Sequence, residues 1–353
     1  MAGLPDISLV SLGTTPGLRQ ADESFAQMAR QDGLTCEVVD VGVGRSGGLR
    51  RQSTMTDIVE ARAARNAASG VRARVIVYST VTAALMQRPS GPYAVRFDSP
   101  AAENRPGAAG AWSRRKEAKI LANATLLLPW GHAAMEAIPP EAKGVPAIPL
   151  HVPIEGGQSA ERSASIAGTS ERDIDAVAYA GYPDKRGLDV LMEAWKLSGL
   201  PGRRRMRVTG IDRDRALEFL KKRRIDEPAG IEWSGLLEPG QFRYTLSRAR
   251  VFVNASRRED HGLSQLEALS AGAALVTVAS EGPYEALPLA MRLDRRLVSP
   301  TANPQSLAFA LRSGFEVDLD DYAARADELL RPYRPEAVRE VFAQQVVPAL
   351  GLR

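Results

Sequence analysis

The sequence predicts an α/β protein built from two doubly wound, Rossmann-like domains. Three observations carry this expectation. The apolar run Ile7–Leu12 leads through a glycine-containing turn and a helical pattern into a second apolar run, the opening of a doubly wound sheet. Residues 251–277, VFVNASRREDHGLSQLEALSAGAALVT, again read as strand, loop, helix and strand. Between these halves, residues 155–173 are charged and rich in Gly, Ser and Ala, the composition of a linker and hinge. The expected domains are residues 1–160 and 161–334.

Composition is consistent with that plan. A chain of 353 residues, 44% of them hydrophobic, suits two globular domains with their own cores. No apolar run approaches the ~18 residues that span a bilayer. The N-terminal run has no basic segment before it, so it is expected to be a strand rather than a secretory signal. The lone Cys36 cannot form an internal disulfide, fits a reducing cytoplasm and reads as a small apolar filler. Net charge is +4, from 46 Lys and Arg against 42 Asp and Glu, too balanced to imply nucleic acid as a partner. The local clusters Arg114–Lys116, Arg203–Arg205 and Lys221–Arg224 have a bland reading as solvated faces and a sharper one as peripheral contact with an anionic membrane.

In chain order, Ile7–Leu12 predicts a strand, Gly13–Gly17 a tight loop, Glu23–Arg30 a helix burying Phe25 and Met28, and Cys36–Val41 a second strand. The first loop lacks the G-x-G-x-x-G of dinucleotide sites, and Gly42–Gly48 lacks the Lys-Ser/Thr of a P-loop and reads as a connector. Ile58–Ala68 predicts a helix and Val75–Tyr78 a strand. A further strand ends at Asp98, before a Pro/Gly/Ala-rich loop. Loops at strand carboxyl ends line the crevice of such sheets, which makes Arg96 and Asp98 site candidates; the competing reading is an Arg–Asp pair that merely fixes the loop. Trp112–Ala122 predicts a basic helix and Ala124–Pro129 a strand. His132 and His151 lack metal spacing and read as structural or lining residues. Beyond the linker, Ala176–Gly181 predicts a strand, and Tyr182–Gly187 a turn into a helix that buries Leu188, Leu191, Met192 and Trp195. Gln241–Ala249, Ser306–Arg312 and Tyr322–Arg331 predict helices, and Val298–Pro300 closes the second sheet.

The stretch 251–277 concentrates the chemistry. Glu259 falls in the strand-to-helix loop and Glu267 eight residues later, in the early turns of the helix. Between them lie the backbone N–H groups of Gly262, Leu263 and Ser264, unsatisfied by helix bonding and at the positive end of its dipole. That end suits an anion, and Gly262 permits close approach. A carboxylate on each side of a phosphate site suits a ligand with hydroxyls at both ends, such as a nucleotide sugar. Taken alone, two glutamates read more simply as solvated charges.

The wider pattern changes that balance. The segment Ser256 to Val276 is similar to the Glu-x7-Glu signature of the retaining glycosyltransferases of family 4 and their GT-B relatives, E-G-F-G-x-x-x-L-E-A-M-A-x-G-x-P-V-V. It keeps Glu259, Gly262, Leu266, Glu267, Ala268 and Gly272 and departs at Asp260, His261 and Ala274. Gly181–Gly187 resembles the family's G-R-x-x-x-x-K-G, with Tyr182 at the Arg place and Arg186 at the Lys place, Lys185 beside it. Met206–Gly210 resembles the family strand that ends in V-G-x-G, and Ile231–Gly235 the next, F-x-G, whose following backbone contacts the nucleotide base in the family.

The resemblance implies a GT-B architecture, with the two domains facing each other across a cleft and the segment after Pro335 crossing back onto the first. It implies a retaining glycosyltransferase using a nucleotide-diphosphate sugar, no metal and no cofactor. Lys185 and Arg186 would clamp the diphosphate, Glu259 would hold sugar hydroxyls and Glu267 the ribose. Gly181, Tyr182, Gly210, Trp233, His261, Gly262, Leu263 and Ser264 would line the donor site. Thr14, Thr15 and Gly17 would face the cleft with Arg96 and Asp98, on the side of a saccharide, lipid-linked or small-molecule acceptor. Ala147–Pro153 resembles a closing strand, and closure about residues 155–173 would exclude water. The rival readings are a GT-B nucleotide-sugar hydrolase or epimerase, and a non-catalytic nucleotide-sugar-binding protein.

Overall fold

The structure, a computed structural model, describes residues 3–42, 54–105, 107–155 and 172–353. The expected glycine-rich connector lies outside the described residues beyond Gly42, as does the expected linker between residues 156 and 171. The chain divides into two compact units, Met1–Pro153 with Pro335–Arg353, and Ile154–Arg334.

The first unit is a five-stranded parallel sheet, β1 (Ile7–Ser11), β2 (Cys36–Asp40), β3 (Val75–Tyr78), β4 (Tyr93–Phe97) and β5 (Leu126–Pro129), in the order β2-β1-β3-β4-β5. Side chains alternate across it, as the strand period requires. Leu9, Val77 and Leu128 join a core with Phe25 and Ala29 of α1 (Pro16–Gln31) on one face. Val10, Tyr78, Val95 and Leu127 join a second core on the other, with Ala61 and Ala64 of α2 (Thr54–Ala67) and Ile120 and Leu121 of α3 (Ala111–Ala122). Cover on both faces explains why β1 and β4 are apolar along most of their length.

Two expectations need correction here. The first helix begins at Pro16 rather than Glu23, because Thr15 caps it, its hydroxyl accepting from the Leu18 N–H at 3.2 Å, and Pro16 is suited to the first helical position. Ala147–Pro153 is not a sheet strand. It follows the β5 edge through Leu127 N–H to Pro146 O (2.9 Å), Ile148 N–H to Leu127 O (3.0 Å) and Leu150 N–H to Pro129 O (2.8 Å). Prolines 146, 149 and 153 lack the N–H groups that a regular ladder needs.

The second unit is a six-stranded parallel sheet of order β11-β10-β9-β6-β7-β8. Its strands are β6 (Ile174–Tyr179), β7 (Met206–Thr209), β8 (Ile231–Gly235), β9 (Ala249–Asn254), β10 (Ala274–Val278) and β11 (Val298–Ser299). The helices between them are α4 (Leu188–Leu197), α5 (Arg213–Lys222), α6 (Pro239–Ser247), α7 (Leu263–Ser270) and α8 (Ala286–Leu293). They are followed by α9 (Pro304–Phe315) and α10 (Leu319–Leu329). The α6 boundary falls earlier than expected, because Glu238 and Gln241 form a capping box and Pro239 opens the helix, leaving Ala249 to β9. The chain then returns to the first unit as α11 (Pro335–Val341), extended by Phe342–Ala349. Phe342 packs edge-on against Phe25, with ring centroids 5.4 Å apart. Among the described residues no helix is long and apolar enough to cross a membrane.

Candidate functional site

In the second sheet, sequence order reverses between β6 and its neighbour β9. Open parallel sheets bind ligands at such a reversal, in the crevice beyond the strand carboxyl ends. The loop after β6 carries Lys185 and Arg186 into α4, and the loop after β9 carries Glu259 to Gly262 into α7. Helix α4 packs in the layer with α9, whereas α7 packs with α6, α8 and α10.

Both loops end alike. Gly187 (φ 62°) and Gly262 (φ 88°) are left-handed N-cap residues with no side-chain cap. A Cβ on Gly187 would lie 2.1 Å from the Ala255 carbonyl oxygen, and one on Gly262 would lie 2.5 Å from the Tyr284 ring. Each position therefore demands glycine for conformation and for space. A helix start without a side-chain cap can offer its first-turn N–H groups to an anion.

The two loops are tied together. The Arg257 N–H donates to the Lys185 carbonyl at 2.9 Å. The Arg257 guanidinium donates to the Asp184 carbonyl at 2.7 Å and to both oxygens of Asp189 at 3.0 and 2.6 Å. On this frame Arg186 forms an ion pair with Glu259, donates to the Ser256 hydroxyl at 3.3 Å and lies 5.4 Å from the centroid of the Tyr179 ring. Glu259 is only 3% exposed and also accepts from the Gln265 amide at 2.8 Å. The Ser264 hydroxyl donates to Gln265 Oε1 at 2.7 Å. Lys185 forms a second ion pair with Asp260. Beneath them, the Ser256 hydroxyl donates to Asn254 Oδ1 (2.6 Å) and the Asn254 amide to Thr277 Oγ1 (3.1 Å), which lies 2.8 Å from the Tyr284 hydroxyl. Burial pushes the Tyr284 phenol well above its ordinary range, so it stays a neutral hydrogen-bonding group.

His261 is buried, and its carbonyl accepts from the Glu285 N–H at 3.1 Å. Glu267 sits on the second turn of α7, half-buried, one position beyond the buried Leu266. Leu263 and Ser264 form the first turn of α7. Gly181 and Gly210 flank the Tyr179 side chain: a Cβ on either would lie 2.3 or 2.5 Å from it, so both make room for that ring. Tyr182 is exposed. Among the described residues no group of three or more His, Cys, Asp or Glu is placed to hold a metal ion.

Two of the expected site residues are held by partners outside these two loops. Trp233 lies on β8, the outer strand, separated from β6 by β7; its indole N–H donates to Glu227 at 2.5 Å and its ring packs on the core. Arg96 does not line an open loop. It is 2% exposed within β4, ion-paired with Asp22 at 2.9 Å, donating to the Ala21 carbonyl at 3.1 Å and lying 4.7 Å from the Phe25 ring centroid. An arginine in a strand covered on both faces needs a buried carboxylate, and α1 supplies it. Asp98 stands half-buried just past β4, Thr14 and Thr15 precede α1, and Gly17 lies in its first turn.

The sequence reading missed Gln265, Asn254 and Arg257. Gln265 carried a usable signal, since it is a polar residue beside Leu266 on the buried side of α7. Arg257 carried none.

Residues 174–316 match the family described as Glycosyl transferases group 1. No curated protein matches the sequence. Among solved structures, sucrose-phosphate synthase from Thermosynechococcus elongatus aligns with a TM-score of 0.68 at 15% identity, over 98% of this chain and 99% of that one. HepE from Anabaena, in complex with UDP-glucose, aligns with a TM-score of 0.64 at 13% identity, over 97% and 99%. A mutant of S. aureus TarM, in complex with UDP, alpha-GlcNAc-glycerol and Fondaparinux, aligns with a TM-score of 0.59 at 12% identity. That alignment covers 78% of this chain but only 55% of TarM, so the chain spans about half of TarM's length. Likeness at these identities speaks for the fold, and the matched residues fall within the second unit. The chain therefore has the GT-B fold, and the segment of its second unit that holds both loops matches glycosyl transferases group 1.

Proposed function

We propose that the protein transfers a sugar, with retention of anomeric configuration, from a nucleoside-diphosphate sugar to an acceptor hydroxyl. One observation carries the reading: two side-chain-uncapped helix starts and two cations meet two carboxylates at the reversal point of the second sheet. Lys185, Arg186 and the first-turn N–H groups of α7 stabilise the charge that develops on the leaving diphosphate, the largest single contribution such sites make. Glu259, braced by Gln265, positions the sugar hydroxyls, and Glu267 holds the ribose. No cofactor enters the reaction; the nucleotide sugar is a co-substrate. HepE and TarM were solved with UDP or a UDP-sugar, which puts uridine first among the donors to try. The acceptor is a saccharide, a lipid-linked sugar or a small molecule. For a lipid-linked acceptor in the cytoplasmic leaflet, the exposed basic clusters supply peripheral attraction.

Thermal-shift measurements with UDP, GDP, ADP, TDP and their sugars identify the donor, because a ligand raises the melting temperature according to its affinity. Labelled donor is then followed with and without acceptors. Transfer that is lost in Glu259→Ala supports the proposal. Hydrolysis or epimerisation alone, or binding without turnover, overturns it.

A further inference from the structure

Where the resembled signature has glycine after its first glutamate, this chain has Asp260, and Asp260 holds Lys185. The site thus pairs Lys185 with Asp260 and Arg186 with Glu259, and Arg258 stands by Asp260 as a third, more distant cation. The pairs are not equally fixed. Glu259 is held by both Arg186 and the Gln265 amide, and its side chain is 4% exposed. Asp260 is 18% exposed, Lys185 is 19% exposed, and the second carboxylate oxygen of Asp260 is buried with no hydrogen-bond partner, 3.8 Å from Arg258 Nε. Lys185 is also the more adaptable cation, a point charge on a flexible stem, whereas the planar Arg186 lies against Tyr179. An arriving diphosphate needs a cation already occupied by a carboxylate. Of the two carboxylates, Asp260 is the one free to give way.

We propose that Asp260 is an internal competitor of the donor's diphosphate. It occupies Lys185 in the empty site, yields it when the diphosphate arrives, and reclaims it as the nucleoside diphosphate leaves. Asp260 thereby weakens product binding and speeds product release, acting as a positioning residue through Lys185. This rests on the reading that Lys185 receives the diphosphate.

The test is calorimetric binding of UDP, GDP and ADP to the full chain, followed with whichever binds tightest. Asp260→Asn removes the charge at nearly constant shape and is expected to bind about tenfold tighter, within the range for close charge pairs. Lys185→Met is expected to bind about tenfold weaker. The double variant should match Lys185→Met if Asp260 acts through the lysine; a gain in affinity from Asp260→Asn that persists in the Lys185→Met background would instead place its action on Arg258 and overturn the proposal. Asp260→Glu, which keeps the charge, should restore weaker binding, and in turnover kcat and KM should fall together in Asp260→Asn. A residue that only supports the loop would weaken binding when replaced. If Lys185→Met binds weakly but Asp260→Asn binds no tighter than the original chain, the competitor role is wrong and the diphosphate reading stands. If Lys185→Met binds normally, or no diphosphate binds, the reading beneath it is wrong. Should Asp260→Asn melt early, Asp260→Ser makes the same change in charge.

Discussion

The Arg186 guanidinium and the Glu259 carboxylate, 73 residues apart in sequence, form one ion pair on loops leaving adjacent strands. The pair joins the cation proposed for the leaving group to the carboxylate proposed for the sugar. Glu259→Gln should therefore reduce kcat/KM for transfer about 100-fold. Because the two groups act as a unit, Arg186→Met combined with Glu259→Gln should cost little more than the worse single change. Steady-state kinetics of the three variants decides this; full additivity would separate the roles.

Gly262 is required twice over, by its φ of 88° and by the Tyr284 ring. Gly262→Ala should lose about 1–3 kcal/mol of stability. Gly240, in the first turn of α6, is the contrasting site, since a Cβ there would have nothing within 4 Å. There, Gly240→Ala should gain about 0.5–1 kcal/mol, the ordinary helix preference. Urea unfolding of both variants gives the comparison.

Arg96 and Asp22 form a buried pair supported by the Ser11 hydroxyl, 2.6 Å from Asp22. Arg96→Met strands a buried carboxylate and should cost about 3–5 kcal/mol. Adding Asp22→Leu should recover much of that loss, as apolar replacement of a buried pair commonly does. Chemical denaturation of the single and double variants checks both signs. Nucleotide affinity should stay unchanged, since the pair belongs to the first unit.

Glu117 of α3 is 1% exposed, accepts from the Ala101 N–H at 2.6 Å, and has its carboxyl pushed up to about 8, chiefly by burial. Asp57 adds to the rise and Arg105 opposes it. The folded state therefore keeps a proton that the unfolded chain gives up near the ordinary value of 4.5. Stability from this group is present below pH 4.5 and is lost as pH rises through about 8. Glu117→Gln should melt higher than the unsubstituted chain at pH 8.5, with the gap closing toward pH 5. Melting curves across that range check the sign.

What could be read from the sequence was local. Glu259, Gly262 and Glu267 share one strand–loop–helix segment, so their spacing fixes their placement once the helix period is known. Thr15 and Pro16 stood as a cap signal beside the first helix, and the loop reading passed over it. The pairings were not readable. Arg96 could have met Asp98 two residues on, yet it meets Asp22, because its side chain lies on the sheet face that also packs Phe25 of α1, and sequence proximity carries no weight there. Asp260 likewise finds Lys185, 75 residues earlier, only because β6 and β9 are neighbours.

The return of Pro335–Arg353 to the first unit has a consequence for how the protein is made. Val338, Phe342, Val346 and Leu350 complete the core that contains Leu9, Phe25 and Val77. The ribosome delivers the beginning of that core first and its end only after the whole second unit has emerged. The second unit, Ile154–Arg334, is continuous and can close during synthesis. The first must wait with its Phe25 face uncovered. The nascent protein is therefore most exposed to chaperones and proteases on the half translated earliest.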